Sequence, residues 1–263
     1  MSVATATALP PALHLRGVAV SSSRDARLAV VEEVDWTVAA GEFWVVGAPQ
    51  HSGKSDFLLL AGGLASPLRG EYFFLGERMP IFEESRLGHR LKLGLVFDGG
   101  RLFSQLTVAE NIALPLRYHG NLAPAEVESR MAALLELTGL TPWAHHTPGQ
   151  LGRSWQQRVG LARALGLRPE VLLLDSPLTG LDVRHTIWWL DFLDQLSRGH
   201  SFLAGRPVTL VATADDLRPW RRHANRVACL AARRLRVLGD WRAAEDCAEA
   251  VVRELLPKEP SGD

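Results

Sequence analysis

Residues 150–182 read QLGRSWQQRVGLARALGLRPEVLLLDSPLTGLD, and they contain a short apolar run, Val171–Leu174, that ends at Asp175. A continuous apolar run of this length between polar residues is typical of a central strand in a parallel sheet, where helices cover both faces. Two further runs of the same kind are LGLVF at 93–97 and VTLVA at 208–212. The sequence therefore predicts an α/β domain built on a parallel sheet.

Between the runs at 93–97 and 171–174 the pattern changes to helical spacing. Thr107–Leu116 and Pro124–Leu140 repeat apolar residues every three or four positions. Pro124 suits the first turn of a helix, and Gly139 suits the position just after the end of one. These segments predict a helical insertion in the α/β domain.

A second informative stretch, GAPQHSGKS at 47–55, lies between an apolar segment and a helix-like one. In a loop of the form GxxxxGK[ST], backbone N–H groups and a helix N-terminus face phosphates, while a Lys adds charge and a hydroxyl binds Mg²⁺. Ala48 replaces the opening glycine, and His51 stands where glycine is frequent, so we expect His51 to tolerate φ > 0. The predicted nucleotide-binding residues are Ala48, Pro49, Gln50, His51, Ser52, Gly53, Lys54, Ser55 and Asp56.

A magnesium site is predicted from the loop together with the apolar run that ends at Asp175. A carboxylate at the end of such a strand can hold Mg²⁺ opposite the hydroxyl of Ser55. Neither feature is specific alone, because SGKS also suits an ordinary helix N-terminus and a buried strand often ends in a structural Asp. Their joint presence favours a nucleotide and a metal.

The opening stretch, read as a whole, resembles the ATP-binding cassette (ABC) ATPases, whose pattern is close to LSGGQQQRVxxARAL followed by LLLDEPTSGLD. The residues that match this pattern are Leu151, Gln156, Gln157, Arg158, Val159, Ala162, Arg163, Ala164, Asp175, Pro177, Gly180, Leu181 and Asp182. The resemblance implies a P-loop NTPase core with a small antiparallel β subdomain and an inserted α-helical subdomain. It also implies ATP and Mg²⁺ as cofactors and a dimer that contacts ATP through Leu151, Gly152, Arg153, Ser154, Trp155 and Asp182.

On this basis we expect one domain over 13–256, with flexible tails at 1–12 and 257–263. Its core covers 13–98 and 165–256, and its helical subdomain covers about 99–164. Asp98 falls on the family's Gln that senses the metal. An Asp at this position can ligate the ion beside Ser55 and Asp175, but it also places an extra negative charge near the triphosphate.

Several residues depart from the family pattern at positions that carry its chemistry. Ser176 replaces the Glu that acts as general base, and Ala214 replaces the switch His. Leu151–Trp155, LGRSW, replaces the small-residue signature LSGGQ, and Ser22 falls near the aromatic residue that stacks on adenine. We expect nucleotide binding to be retained and hydrolysis to be weak or absent, because loss of a general base typically lowers a rate by about 10²–10⁴.

Residues 96–116, VFDGGRLFSQLTVAENIALPL, are similar to the matching segment of the Mce-associated, Mla-type lipid transporters. The likeness implies a permease partner and a place on the cytoplasmic, inner face of the cell membrane, with a homodimer or a heterodimer of ATPase subunits. A related segment occurs in general importers. The alternatives are a non-catalytic scaffold at the same position of the complex, or a P-loop kinase or GTPase.

Composition limits the other classes of partner. Lys and Arg together number 29, as do Asp and Glu, so the net charge offers no support for nucleic-acid binding. Only two cysteines occur, without metal-ligand spacing, which favours a reducing compartment. No apolar run approaches the ~20 residues that cross a bilayer.

Overall fold

Ten strands form one sheet in the part of the chain that the computed structural model describes, residues 10–79 and 83–257. Their order across the sheet is β5-β4-β1-β2-β10-β9-β3-β8-β7-β6. The strands are β1 (Leu13–Ser21), β2 (Ala29–Val38), β3 (Phe43–Gly47), β4 (Arg69–Phe74), β5 (Glu77–Arg78), β6 (Leu93–Val96), β7 (Val171–Leu174), β8 (Thr209–Ala214), β9 (Arg226–Ala231) and β10 (Arg234–Gly239).

The predicted parallel sheet is confirmed in β3, β8, β7 and β6, which lie side by side and run in the same direction. Leu174 pairs with both Val96 and Ala212, so the three predicted runs end at one edge of the sheet. Gly47 at the end of β3 pairs with Ala214 at the same edge. This edge carries the residues that were predicted to bind phosphate and metal.

An antiparallel unit extends the sheet on its other side. β1 pairs antiparallel with β2 and β4, and β5 pairs with β4. A single registered pair, Arg234 with Glu32, joins this unit to the rest through β10 and β2. The α/β fold with an antiparallel part is therefore present as predicted.

Two buried clusters lie on opposite faces of the sheet, as alternation along its strands requires. In β3, Phe43 and Val45 belong to the cluster that contains the helices after β6, while Trp44 and Val46 belong to the other. In β7, Leu172 and Leu174 belong to the first cluster, and Val171 and Leu173 belong to the second. Each short central strand is thus buried on both faces, which explains its unbroken apolar run.

Eight α-helices occur in the described residues. They are α1 (Lys54–Ala61), α2 (Leu87–Arg90), α3 (Val108–His119), α4 (Pro124–Leu137), α5 (Arg153–Leu165), α6 (Val183–Arg198), α7 (Trp241–Asp246) and α8 (Ala250–Leu255). Thr107 caps α3 in a capping box with Glu110. α4 begins at Pro124 as predicted but ends three residues before Leu140, because Gly139 takes φ 68.

The segment that precedes α3 is fixed by Asn111, which is fully buried. Its amide nitrogen donates to the carbonyls of Phe103, Leu106 and Thr107, and its oxygen accepts from the Phe103 N–H at 2.9 Å. Buried polar groups require such partners. Asn111 therefore determines the path of the chain between β6 and α3.

Packed structure starts before residue 13, where the domain was predicted to begin. Ala12 is buried and its carbonyl accepts from Leu75 N–H at 3.0 Å. The rest of the two predicted tails, 1–9 and 258–263, lies outside the described residues, while Pro257 lies within them. Across the described ranges, none of the helices combines the length and apolar character that crossing a membrane demands.

Candidate functional site

The loop between β3 and α1 has the backbone of a phosphate cradle. His51 takes φ 62 and Gly53 takes φ 88, so His51 adopts the positive φ that it was expected to tolerate. Ala48, in place of the opening glycine, is buried and donates its N–H to the carbonyl of Ala214 at 2.7 Å. The loop therefore keeps its turn without the first glycine and is tied to the end of β8.

The N-terminus of α1 is available to an anion. Gly53 caps the helix without a side-chain hydrogen bond, so its first N–H groups have no side-chain partner among the described residues. The hydroxyl of Ser52 is buried and finds no hydrogen-bond partner within the described ranges. Lys54 and Ser55 open the helix beside it, and this combination of free donors and one positive charge fits a phosphate group.

Asp56, a predicted nucleotide-binding residue, forms a hydrogen bond with the loop after β1. Its carboxylate accepts the N–H of Ser23 at 2.8 Å, which ties α1 to the loop after β1. The side chain of Val30, at the start of β2, lies 3.4 Å from the position that a Cβ on Gly53 would occupy. The loop after β1 and the start of β2 thus form one wall of the phosphate cradle.

Ser55 and Asp175, 120 residues apart in sequence, meet at the edge of the sheet. Ser55 Oγ donates to Asp175 Oδ2 at 2.8 Å, and Asp175 is buried. A hydroxyl and a carboxylate oxygen at this separation match the ligands that Mg²⁺ prefers when phosphate and water complete its shell. No group of three or more His, Cys, Asp or Glu suited to a metal occurs among the described residues. The donor set therefore fits a metal that arrives with phosphate.

Thr213 is a member of this site that the sequence reasoning missed. Its hydroxyl donates to Asp175 Oδ1 at 3.2 Å and accepts the N–H of Ser176 at 3.0 Å. It is fully buried in β8. The available signal was a threonine directly after the apolar run of 208–212, where a buried hydroxyl needs a partner.

A cavity of about 210 Å³ lies where the general base and the switch His were expected. Ser176 and Ala214 line it together with Thr179, Thr186 and Asp215. Ser176 is buried with φ 49, and its hydroxyl lies near Asp175 and Thr213. At the positions of the general base and the switch His, the cavity therefore has a hydroxyl, from Ser176, and a methyl group, from Ala214.

The other carboxylate of the cavity, Asp216, is engaged by Arg218. The guanidinium donates to both oxygens, at 3.0 and 2.7 Å. These hydrogen bonds lower the pKa of Asp216, so it remains an ion-paired carboxylate at neutral pH. Asp216 is accordingly a poor proton acceptor.

Asp98 forms an ion pair with Arg153. Asp98 lies just after β6, and Arg153 is the first residue of α5, 55 residues later. The Arg153 side chain also lies 3.5 Å from where a Cβ on Gly99 would be. Within the described part of the chain, the contact found for the Asp98 carboxylate is this guanidinium, which would compete with the metal role expected for Asp98.

The remaining residues of LGRSW lie at the start of α5. Leu151 is buried, Gly152 caps the helix, and Ser154 and Trp155 follow in its first turn. Trp155 stands edge-on to His185 with ring centroids 5.0 Å apart. A large aromatic side chain therefore links α5 to α6 at the place where the family pattern has small residues.

Arg158, one turn further along α5, is buried between Trp188 and Trp155. Its guanidinium carbon lies 3.6 Å from the Trp188 ring centroid, and Nη2 donates to His185 Nδ1 at 3.1 Å. Burial lowers the pKa of Arg158 to about 10, with a partial offset from Asp182. Asp182 caps α6 by accepting the N–H of His185 at 2.9 Å. α5 and the start of α6 are thus coupled through one polar and aromatic network.

Comparison with known proteins places these features in a family. A family model described as "ABC transporter" matches residues 31–179. The methionine import ATP-binding protein MetN of Caulobacter vibrioides is 38% identical over 204 residues, which cover 77% of this chain and 59% of that protein. MetN 1 of Pseudomonas putida is 33% identical over 195 residues, covering 74% and 56%. The chain thus spans little more than half the length of these relatives.

Solved structures agree with this result. The dimeric bacterial ABC transporter cassette MJ0796 has a TM-score of 0.74 and 28% identity, covering 85% of this chain and 96% of that chain, and its post-hydrolysis state with ADP and Pi matches equally. The cbiO1 protein of Clostridium perfringens, from the cbiONQ complex, has a TM-score of 0.74 at 20% identity, covering 92% and 93%. The last likeness concerns the fold alone.

Replacing Arg158 with Met should raise the pKa of His185. Burial first, and then the charges of Arg158 and Arg184, lower this pKa, while Asp182 raises it. The Arg158→Met variant keeps the length of the side chain and removes one cation. NMR titration of the imidazole measures the shift, and Arg198→Met, at an exposed position of α6, is the matched control.

The sign of the accompanying stability change follows from the lowered pKa. The unfolded chain binds a proton at His185 more readily, so this residue lowers the free energy of unfolding as pH falls from about 6.5 toward the native pKa. In the Arg158→Met variant the native pKa of His185 lies closer to the unfolded value, so the free energy of unfolding should fall over a narrower pH range. An unchanged or lower His185 pKa would contradict the coupling.

Proposed function

This chain belongs to the ABC transporter family, and we propose that it is the ATP-binding subunit of a transporter, binding Mg-ATP to drive or gate a membrane permease. Mg-ATP is the ligand of this family's ATPase domain. The observation that carries the proposal is the 2.8 Å contact of Ser55 with Asp175 beneath the cradle of Gly53 and Lys54. That contact joins the phosphate-binding and metal-binding parts of the site.

Each group has a separate role in holding the nucleotide. The free N–H groups at the start of α1 bind phosphate oxygens, and Lys54 adds a positive charge. Ser55 and Asp175 would hold Mg²⁺, with Thr213 orienting the carboxylate. When bound, the metal neutralises the charge of the phosphates.

We propose that hydrolysis is weak or absent in the chain alone. Ser176 and Ala214 offer neither a carboxylate nor an imidazole to an attacking water. Of the two carboxylates that also line the cavity, Asp216 is held by Arg218 and Asp215 is exposed. A serine hydroxyl does not accept a proton near neutral pH. The missing base would lower the rate by about 10²–10⁴.

A membrane permease is the proposed partner, with this chain peripheral on the inner face of the membrane. A groove of about 740 Å³ beside α3 is lined largely by apolar side chains. Phe103 and Tyr118 at its rim are 56% and 75% exposed, which is unusual for aromatic residues without a partner. We also propose a dimer, either with a second copy or with another ATPase subunit, in which LGRSW and Asp182 face the partner's nucleotide.

The transported molecule is proposed to be a lipid. Support comes from the similarity of residues 96–116 to the Mla-type segment, and these residues include Phe103 at the groove. The MetN relatives, named for methionine import, favour an amino acid instead. A scaffold that binds no nucleotide is the second candidate, favoured by the small residues at positions 176 and 214.

ATP binding separates the subunit from the scaffold. We expect calorimetry to detect Mg-ATP binding by the wild-type chain and strong weakening in Lys54→Ala, because the charge on the phosphates is lost. Arg198→Ala, which removes an exposed cation on α6, is the control and should bind as the wild type does. A wild-type chain without measurable affinity would exclude the first proposal.

Steady-state turnover tests the weakened hydrolysis. The wild-type chain should turn over ATP far below the ~10 s⁻¹ of an ordinary enzyme. Ser176→Glu should raise the rate, because it supplies a carboxylate at the lining of the cavity, and Ser176→Gln is the isosteric control without a base. An ordinary wild-type rate that disappears in Lys54→Ala would disprove impaired hydrolysis.

Transport assays in the source cells test the lipid proposal. Cells that lack the chain should move labelled phospholipid between membranes more slowly and take up labelled methionine normally. Complementation with the wild-type chain should restore movement, whereas Lys54→Ala should not. Loss of methionine uptake with normal lipid movement would reverse the substrate assignment.

A further inference from the structure

Arg101 lies beside the predicted metal site without having been singled out by the sequence. It lines a narrow crevice that Ser55 and Asp175 also line, and the apolar floor of this crevice is Leu58, Leu59, Leu95 and Phe97. The Arg101 guanidinium carbon lies 4.8 Å from the centroid of the Phe97 ring. A cation–π contact of this kind holds the charge at the crevice without neutralising it.

The backbone at Arg101 adopts a conformation that costs free energy. Gly99, Gly100 and Arg101 have φ of 66, 76 and 42 in succession. The left-handed region is unfavourable for a non-glycine residue by roughly 1–2 kcal/mol, and such residues concentrate at ligand-binding sites. A standard turn could avoid this cost by placing glycine at position 101.

Surrounding contacts fix this strained turn. Arg163 donates to the carbonyl of Arg101 at 3.0 Å and to the carbonyl of Gly100 at 2.7 Å. A Cβ on Gly100 would lie 2.4 Å from the carbonyl oxygen of Gln156, so the turn is pressed against α5. The position of Arg101 is therefore determined by the contacts of this turn with α5 and not by the backbone preference of an arginine residue.

The charge of Arg101 is available to an anion. Within the described ranges it forms no ion pair, although Asp98 is only three residues away. The Asp98 carboxylate is occupied by Arg153, which leaves Arg101 as an exposed guanidinium beside the metal pair. An unneutralised guanidinium next to Ser55 and Asp175 matches the position of negative charge that Mg-ATP would bring.

We infer that Arg101 is a ligand of the terminal phosphate, supplied by the same chain that holds the nucleotide. The inference rests on the proposed Mg-ATP site. A guanidinium presents a planar set of donors that matches two phosphate oxygens, and charge-assisted hydrogen bonds of this kind are about twice as strong as neutral ones. The contact would distinguish a nucleoside triphosphate from a diphosphate.

The test compares a non-hydrolysable ATP analogue with ADP, each with Mg²⁺, by calorimetry. In Arg101→Gln the dissociation constant of the triphosphate analogue should rise about tenfold or more, since a hydrogen bond to a charged group is lost. The constant for ADP should stay within about twofold. Arg101→Lys keeps the positive charge but lacks the planar set of donors. Its dissociation constant for the triphosphate analogue should lie between those of the wild type and Arg101→Gln.

Two further variants exclude a merely structural effect. Arg101→Asn removes the guanidinium and tolerates positive φ, so it should weaken triphosphate binding as Arg101→Gln does. Arg117→Gln on α3 removes another half-exposed guanidinium, one paired with Glu128 at 3.7 Å, and should bind both nucleotides normally.

The outcomes separate this inference from the function on which it rests. Wild-type affinity in Arg101→Asn, or equal losses for both nucleotides in the Arg101 variants, would overturn the role of Arg101 and leave the Mg-ATP site in place. A wild-type chain that binds neither nucleotide would overturn the Mg-ATP site and the role of Arg101 together.

Discussion

The hydrogen bond from Ser55 to Asp175 depends on nearly every feature of the fold. Its two residues belong to α1 and to the end of β7, with β8 lying between β3 and β7 in the sheet. Only parallel strands that end at the same edge bring them together, and only burial on both faces fixes strands as short as four or five residues. Thr213 of β8 completes the contact from the strand in between. The metal site proposed at this edge thus follows from strand order.

Much of this arrangement could be predicted from local sequence. Val171–Leu174 predicted a strand with the observed bounds, and GAPQHSGKS predicted a strand-to-helix turn at which His51 could tolerate the observed positive φ. Both signals are short-range, because an apolar run and a glycine-lysine turn express backbone preferences of adjacent residues. The location of the site could be inferred from them, because the carboxyl ends of all the parallel strands lie at the same edge of the sheet.

The residues that were not foreseen act through tertiary contacts. Thr213 and Arg158 looked like an ordinary strand residue and a family-matching helix residue, and their partners lie 38 and 27 residues away. Arg101 carries no motif, and its place depends on a turn that α5 compresses. Spacing in one sequence does not show which distant side chains will share a crevice.

Asp98 and Arg153 change the weight that each departure from the family pattern deserves. Taken singly, an acid near the metal and a large cation at the start of α5 both look damaging. The two residues form an ion pair, so each neutralises the charge of the other and the Arg153 side chain is fixed on Asp98. The two departures are therefore one coupled change. The case for weak hydrolysis then depends on Ser176 and Ala214, which line one cavity together with Asp216, a carboxylate that Arg218 holds. Binding and hydrolysis are in this way assigned to different parts of the sheet edge. The Ser55–Asp175 contact supports the proposed binding, and Ser176 and Ala214 in the cavity beside it support the proposed weak hydrolysis.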